Sequence, residues 1–82
     1  MAKRNQKSTV VSIIADILLI DDEQVTPGAK LGEELEIDSI DFIDIIMTIE
    51  EKLGLEIDEE MASACVTVGD IERLVERSAV PI

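Results

Sequence analysis

The apolar residues of this chain recur at helical spacing, and no stretch of strand length alternates between apolar and polar side chains. The first helical run extends from Ser8 to about Leu19, with the polar Ser12 and Asp16 on its opposite face. A chain of 82 residues can form one domain, and because Phe42 is its single aromatic residue the core must be aliphatic. The pattern therefore predicts a small all-α domain.

Three main helices and one short helix are expected. The second main helix begins at about Ser39 and ends at Leu53, because the following Gly54 is a natural helix stop. The short helix is predicted within residues 58–64. The last helix follows Thr67, whose hydroxyl is suited to capping it. Together these elements predict a small four-helix bundle.

A long connection, residues 21–37, separates the first two main helices. Its Thr26-Pro27-Gly28 segment predicts a turn, and the apolar residues spaced through it predict packing against the helices. These apolar residues are Val25, Ala29, Leu31, Leu35 and Ile37. We expect one domain over residues 8–78, between a disordered basic tail at residues 1–7 and a short C-terminal tail at residues 79–82.

Acidic residues outnumber basic residues by 19 to seven, which gives a formal net charge of −12. Residues 21–60 alone carry −13. Such a field repels nucleic-acid phosphates and anionic membranes, and it attracts basic protein surfaces. We therefore expect no nucleic-acid binding and no membrane insertion. Either the acids bind basic partners, or they only keep a small protein soluble.

Cys65 is the single cysteine, which excludes an internal disulfide and a zinc site built from cysteines. Its apolar neighbours favour a buried structural thiol over a reactive one. The N-terminus imitates a signal peptide, but Asp16 interrupts the apolar run and acids follow where a cleavage site should be. We expect a soluble, unexported protein of the reducing cytoplasm.

One serine stands between aspartates at the start of the second helix, in Asp38-Ser39-Ile40-Asp41. A catalytic serine needs a base within hydrogen-bond reach, and the chain has no histidine. Lys30 and Lys52 are the only lysines beyond the N-terminal tail. The serine also lacks the flanking glycines of a nucleophile elbow, and no glycine-rich phosphate loop is present. We therefore expect a protein that is not an enzyme.

Two other roles for this segment follow from its aspartates. Asp38, Asp41 and Asp44 recur every three residues, but fixed helical spacing wraps ligands poorly around one ion, and the central glycine of a calcium loop is absent. No metal site is expected. The structural alternative is that Asp38 and Ser39 cap the helix, which would also hold Ser39 at an exposed position.

A helical wheel divides the second helix into a core face and a mixed strip. The predicted core face contains Phe42, Ile43, Ile45, Ile46, Ile49 and Leu53. The partner strip, as we call it, consists of Ile40, Asp41, Asp44, Met47 and Glu51. Acidic and apolar side chains together fit a basic, partly apolar groove on another protein. The alternative is that Ile40 and Met47 pack beneath the long connection.

The segment LEIDSID at residues 35–41, the helix end IMTIEEKLG and the following LEIDEE resemble the acyl carrier protein family. In that family the matching serine is esterified to 4′-phosphopantetheine, whose thiol carries acyl groups as thioesters. The resemblance implies an acyl-carrier-like bundle in which Ser39 is the attachment site and Asp38 helps the phosphopantetheinyl transferase to engage. It also implies a monomer, with acyl-loading, synthase and acyltransferase enzymes meeting the second helix through basic patches.

The sequence departs from the family pattern at several positions. Glu36 stands where glycine is frequent, Ile40 where leucine is commoner, and Asp58 where proline usually precedes the third helix. Met61 and Ser63 fall where acids are frequent. These departures leave the attachment chemistry intact. They make a specialised lipid or polyketide pathway an alternative to housekeeping fatty-acid synthesis as the setting in which the carrier acts.

Three alternatives to an acyl carrier remain. An aminoacyl or peptidyl carrier of a specialised pathway would use the same serine. An unmodified acidic interaction module would use Ser39 only as a cap, and a calcium-responsive bundle would change its melting on metal addition. Modification by a transferase separates the carriers from the other two.

Overall fold

A computed structural model describes residues 9–78 of the chain. Its helices are α1 (Thr9–Leu18), α2 (Ser39–Leu53), α3 (Glu59–Ser63) and α4 (Val68–Ser78), with a short 3₁₀ helix at Asp22–Gln24. The predicted all-α bundle of three main helices and one short helix is confirmed for this part of the chain, which contains no β-strand. The tails expected at residues 1–7 and 79–82 lie outside the described residues, as does Ser8.

The core is aliphatic, as the composition requires. Its most deeply buried side chains are Ile14, Ile45, Ile49, Val68 and Ile71. Two of the six core residues predicted on α2 were wrong, because Ile43 is 57% exposed and Leu53 is 39% exposed. α1 packs along one side of α2, whereas α3 has only five residues and leaves the side that carries Ile43 open. Phe42 is half-buried at the border between the two sides.

The connection between α1 and α2 packs against the helices, as predicted. Val25, Ala29 and Leu31 are buried, and Leu35 and Ile37 are half-buried. Its backbone is tied to the start of α4, since the Gly69 amide donates to the Pro27 carbonyl at 2.8 Å. A Cβ at Gly69 would lie 3.1 Å from that carbonyl oxygen, so glycine permits the close approach. The connection is therefore an ordered segment that leads the chain to Ser39.

The predicted cap of α4 is present. The Thr67 hydroxyl accepts a hydrogen bond from the Asp70 amide at 3.2 Å, and the Asp70 carboxylate accepts from the amides of Val66 and Thr67. These two backbone bonds, with help from Arg73, lower the pKa of Asp70. The stabilisation from this carboxylate is therefore present at neutral pH and is lost as the pH falls through the folded-state pKa.

The C-terminus of α1 ends in a left-handed turn without glycine. The Ile20 amide donates to the Ala15 carbonyl at 3.0 Å and the Leu19 amide to the Asp16 carbonyl at 3.3 Å, the hydrogen bonds of a Schellman motif. Leu19 occupies the left-handed position, with a φ of 60°, and its side chain is 89% exposed. Glycine is usual there because a Cβ is disfavoured in this conformation.

Leu19→Gly is expected to raise the free energy of unfolding by roughly 0.5–1 kcal/mol, because glycine removes the left-handed penalty and little burial is lost. Glycine's extra freedom in the unfolded chain keeps the gain small. Urea unfolding measures it. Leu19→Ala is the matched control, since it removes the same side chain but keeps the Cβ. An equal gain in both variants would show that the backbone conformation is not the cause.

Candidate functional site

Ser39 is the first residue of α2 and is exposed. The residue before it, Asp38, has an extended backbone, and its Oδ1 accepts a hydrogen bond from the Asp41 amide at 2.9 Å. The Asp38 carbonyl accepts from the Phe42 amide at 2.9 Å. Of the two candidate capping residues, Asp38 is therefore the one that caps α2. The Ser39 hydroxyl forms no hydrogen bond with any described residue.

Neither lysine of the described chain is set up as a base for Ser39. Lys52 lies near the other end of α2, about 20 Å away along the helix axis. Lys30 has its ammonium 3.6 Å from Glu33 Oε1, and its backbone amide donates to Glu34. The arrangement presents an exposed hydroxyl without the partner that would activate it. Such a serine is suited to modification by another enzyme.

The start of α2 favours a negatively charged group on Ser39. The amides of Ser39 and Ile40 have no acceptor among the residues of 9–78, and they lie in the first turn, where the helix dipole is positive. Phosphate oxygens attached to Ser39 Oγ would lie beside these donors. The Asp38 carboxylate, which would repel a phosphate, is directed to the Asp41 amide. The residues at this helix start therefore fit a phosphodiester.

An open cavity of about 420 Å³ begins at Ser39. It is lined by Leu31, Ile37, Asp38, Ser39, Phe42, Ile43, Ser63 and Cys65. Most of these side chains are apolar, and they come from the connection, from α2 and from the region of α3. The cavity can therefore shelter an apolar group attached at or near Ser39.

A second cavity, of about 320 Å³, lies between α2 and α3 and shares part of the first cavity's wall. It is lined by Phe42, Ile43, Ile46, Met47, Glu50, Glu59, Ala62 and Ser63. Glu50 also fixes the chain before α3, because its Oε2 accepts a hydrogen bond from the Ile57 amide at 2.8 Å. This role was not predicted, because a hydrogen bond between a glutamate side chain and a backbone amide seven residues away has no local sequence signature.

The five residues of the partner strip are all at least partly exposed. Ile40 is 77% exposed and Met47 is 54% exposed, so neither packs beneath the connection. Asp44 and Glu51 are also exposed, and Asp41 is half-exposed. Ile43, which the helical wheel assigned to the core, adds a third apolar side chain to this surface. The result is an apolar line along α2 bordered by carboxylates.

Cys65 is half-buried rather than buried. Burial raises the pKa of its thiol and the nearby Asp70 carboxylate raises it further, while Arg73 opposes both. The thiol therefore stays protonated at neutral pH, which supports a structural role over a reactive one.

The acids of the described chain are not gathered into a metal centre. Within residues 9–78, no group of three or more histidine, cysteine, aspartate or glutamate side chains is arranged to hold a metal ion. The same residues contain no helix long and apolar enough to cross a membrane.

Comparison with known proteins adds to this geometry. Residues 8–75 match the sequence model of a family described as phosphopantetheine attachment site. Acyl carrier proteins of Helicobacter pylori strains G27 and HPAG1 are each 42% identical to the chain over 67 residues, which cover 82% of this chain and 86% of theirs. The acyl carrier protein of strain ATCC 700392 / 26695 is 40% identical over the same length.

Proposed function

The chain belongs to the acyl carrier protein family, and we propose that Ser39 is the residue to which its 4′-phosphopantetheine is attached. The observation that carries this assignment is that Asp38 caps α2, so the Ser39 hydroxyl remains exposed at the helix start and forms no hydrogen bond with any of residues 9–78. The prosthetic group supplies a terminal thiol on which acyl groups are carried as thioesters. The amides of Ser39 and Ile40 would hold its phosphate.

The chain acts in this proposal as a carrier and not as an enzyme. The described part of the chain places no activating base at Ser39, so a separate phosphopantetheinyl transferase forms the phosphodiester, and Asp38 helps that transferase to engage. The apolar cavity that begins at Ser39 supports acyl cargo rather than polar aminoacyl cargo. The lone cysteine supports a reducing, cytoplasmic setting, and the high net charge supports a monomer.

Incubation with coenzyme A and a broad-specificity phosphopantetheinyl transferase tests the assignment. Intact mass should show one phosphopantetheine per chain, and peptide mapping should locate it at Ser39 rather than at Ser8, Ser12, Ser63 or Ser78. A chain that stays unmodified would favour the acidic interaction module. Modification at another serine would keep the carrier function and overturn the site.

The partner strip of α2 is the proposed docking surface for the enzymes that load and unload the carrier. Its exposed carboxylates attract basic patches over a distance, whereas Ile40 and Met47 become buried only after contact. Charge should therefore set mainly the association rate, and apolar burial mainly the dissociation rate.

Asp44→Lys is expected to slow association with a transferase or synthase, chiefly at low salt, because it places a like charge against the partner's basic patch. Met47→Ala should leave association nearly unchanged and accelerate dissociation, since it removes apolar contact worth about 1–2 kcal/mol. Stopped-flow binding at two salt concentrations measures both rates. Both side chains are exposed, so neither change should alter stability by more than about 0.5 kcal/mol.

Glu76→Lys is the matched control for Asp44→Lys, because it makes the same charge change on α4. Equal slowing by both substitutions would mean that net charge, and not the partner strip, governs the encounter. An unfolded Met47→Ala variant would mean that Met47 is a core residue.

A further inference from the structure

Glu36 is held in a left-handed backbone conformation in the connection just before α2. Its φ is 55°, a value at which the Cβ of an L side chain is disfavoured. The Leu35 amide before it donates to the Lys30 carbonyl at 3.0 Å. The Ile37 amide after it donates to the Leu31 carbonyl at 2.9 Å. Hydrogen bonds on both sides therefore hold Glu36 in a conformation that costs stability for any residue except glycine.

The Glu36 carboxylate is not used by the fold in the part of the chain that the structure describes. Glu33 Oε1 lies 3.6 Å from Lys30 Nζ, and Glu34 Oε1 accepts a hydrogen bond from the Lys30 amide at 2.7 Å. Asp38 Oδ1 is engaged in the cap of α2. The Glu36 carboxylate forms no hydrogen bond or ion pair with any of residues 9–78. Of these four acids before Ser39, Glu36 alone is therefore available to another molecule.

Glu36 lies close enough to Ser39 to be covered by an enzyme that acts there. The two residues are three apart in sequence, so their Cα atoms are separated by at most about 11 Å. A protein interface of ordinary size covers about 800 Å² on each partner, which corresponds to a disc of roughly 16 Å radius. Glu36 is exposed, and the adjacent Ile37 lines the cavity that begins at Ser39. An interface centred on Ser39 therefore includes the Glu36 side chain.

A side chain that strains the backbone and forms no contact in the fold indicates a role outside the fold. We propose that Glu36 is a specificity-determining contact for the phosphopantetheinyl transferase, in which its carboxylate pairs with a basic side chain of that enzyme. The inference rests on the proposed attachment at Ser39. It adds a contact on the connection to the partner strip, which lies on α2 after the serine.

The contact would select among enzymes by charge. A transferase with a cation opposite Glu36 gains an exposed ion pair when it covers Ser39. A transferase with an anion there is disfavoured by like-charge repulsion, and one with an apolar side chain desolvates the carboxylate without replacing its water. Glu36 therefore favours one class of partner and disfavours two others.

The experiment separates the charge of Glu36 from its backbone conformation. Glu36→Gln removes the charge and keeps a side chain of the same shape at the same φ. Glu36→Gly removes both the charge and the backbone penalty. Glu76→Gln is the matched control, because it removes one exposed negative charge on α4. The phosphopantetheinyl transferase that loads wild type is the probe, and kcat and KM for each carrier are measured with saturating coenzyme A at low and at high salt.

Glu36→Gln is expected to raise KM for the carrier roughly threefold at low salt and to leave kcat unchanged, the size typical of one exposed ion pair. The difference should shrink at about 1 M salt, where the Debye length is about 3 Å. Glu36→Gly should raise KM by the same factor, yet unfold at a slightly higher urea concentration than wild type. Glu36→Gln should unfold at the wild-type concentration, and Glu76→Gln should match wild type in every measurement.

The results that would overturn the inference are distinguishable from failure of the attachment. If wild type is not modified at Ser39, the attachment fails and the inference fails with it. If wild type is modified but either Glu36 variant keeps the wild-type KM at low salt, or Glu76→Gln raises KM equally, the attachment stands and the contact is wrong. A less stable Glu36→Gln variant would place the carboxylate in the fold and would also overturn the contact.

Discussion

Ser39→Ala is expected to accept no phosphopantetheine and to unfold at the same urea concentration as wild type. Attachment is lost because the hydroxyl that forms the phosphodiester is gone. Stability is kept within about 0.5 kcal/mol because Ser39 is exposed and the cap of α2 is provided by Asp38. Intact mass after transferase treatment and a urea titration measure the two effects on the same sample. Residual modification of Ser39→Ala would contradict the site.

Two substitutions at Asp38 separate its cap from its proposed role with the transferase. Asp38→Ala removes the side-chain hydrogen bond to the Asp41 amide and should cost about 1 kcal/mol. Asp38→Asn keeps a capping oxygen, so stability should stay near that of wild type. If the carboxylate engages the transferase, Asp38→Asn should still slow modification. Normal modification of Asp38→Asn would leave Asp38 with a capping role alone.

Helix ends were predictable from the sequence because their signals are local. Asp38 and Gly54 bracket α2, and Thr67 with Asp70 marks the start of α4, each through hydrogen bonds or backbone angles within a few residues. α1 lacks such a signal at its end, since Leu19 occupies a position where glycine is usual. Its boundary was nevertheless predicted to within one residue, because the acids after it end the apolar pattern.

Burial on α2 was predicted less well because it depends on what covers each side. The wheel treats Ile43 and Ile49 as members of one apolar face, and their residue types are identical. Only the positions of α1 and the five-residue α3 make one of them a surface residue and the other a core residue. The length of a helix that is distant in sequence cannot be read from the pattern of α2 itself.

In the candidate site, too, local features were predictable from the sequence, whereas features that depend on the fold were not. Ser39 and its flanking acids stand out in the sequence, but whether Ser39 or Asp38 caps the helix is decided by backbone geometry. The cavity that begins at Ser39 is bounded by residues as far apart in sequence as Leu31 and Cys65. Only the fold brings such distant lining residues together, so no local sequence motif predicts the cavity.

Glu36 departs from the family pattern at a position whose backbone conformation favours glycine. Its φ is 55°, which lies in the left-handed region in which glycine is favoured. Members of the acyl carrier protein family often have glycine at this position. The residue lies just before Ile37 and Asp38, at the point where the connection enters the site. Glu36 therefore adopts a backbone conformation that its side chain does not favour.

Ile49→Ala is expected to lower the free energy of unfolding by about 2–5 kcal/mol, because it removes a fully buried side chain and leaves a cavity. A domain of this size has a total free energy of unfolding of roughly 4–12 kcal/mol, so the substitution removes a large share of it and raises the unfolded fraction. At about 4–8 °C for each kcal/mol, the melting temperature should fall by roughly 10 °C or more. Urea and thermal unfolding monitored by circular dichroism measure both quantities.

Ile43→Ala is the matched control, because it makes the same substitution on the same helix at a side chain that is 57% exposed. Both variants gain the same small helix-propensity benefit of alanine, so their difference reports burial. Ile43→Ala should cost less than about 1 kcal/mol. Equal losses in the two variants would mean that the helical wheel describes α2 correctly and that Ile43 belongs to the core. The Ile43 side chain would then stabilise the fold and would not be part of the surface that partners contact.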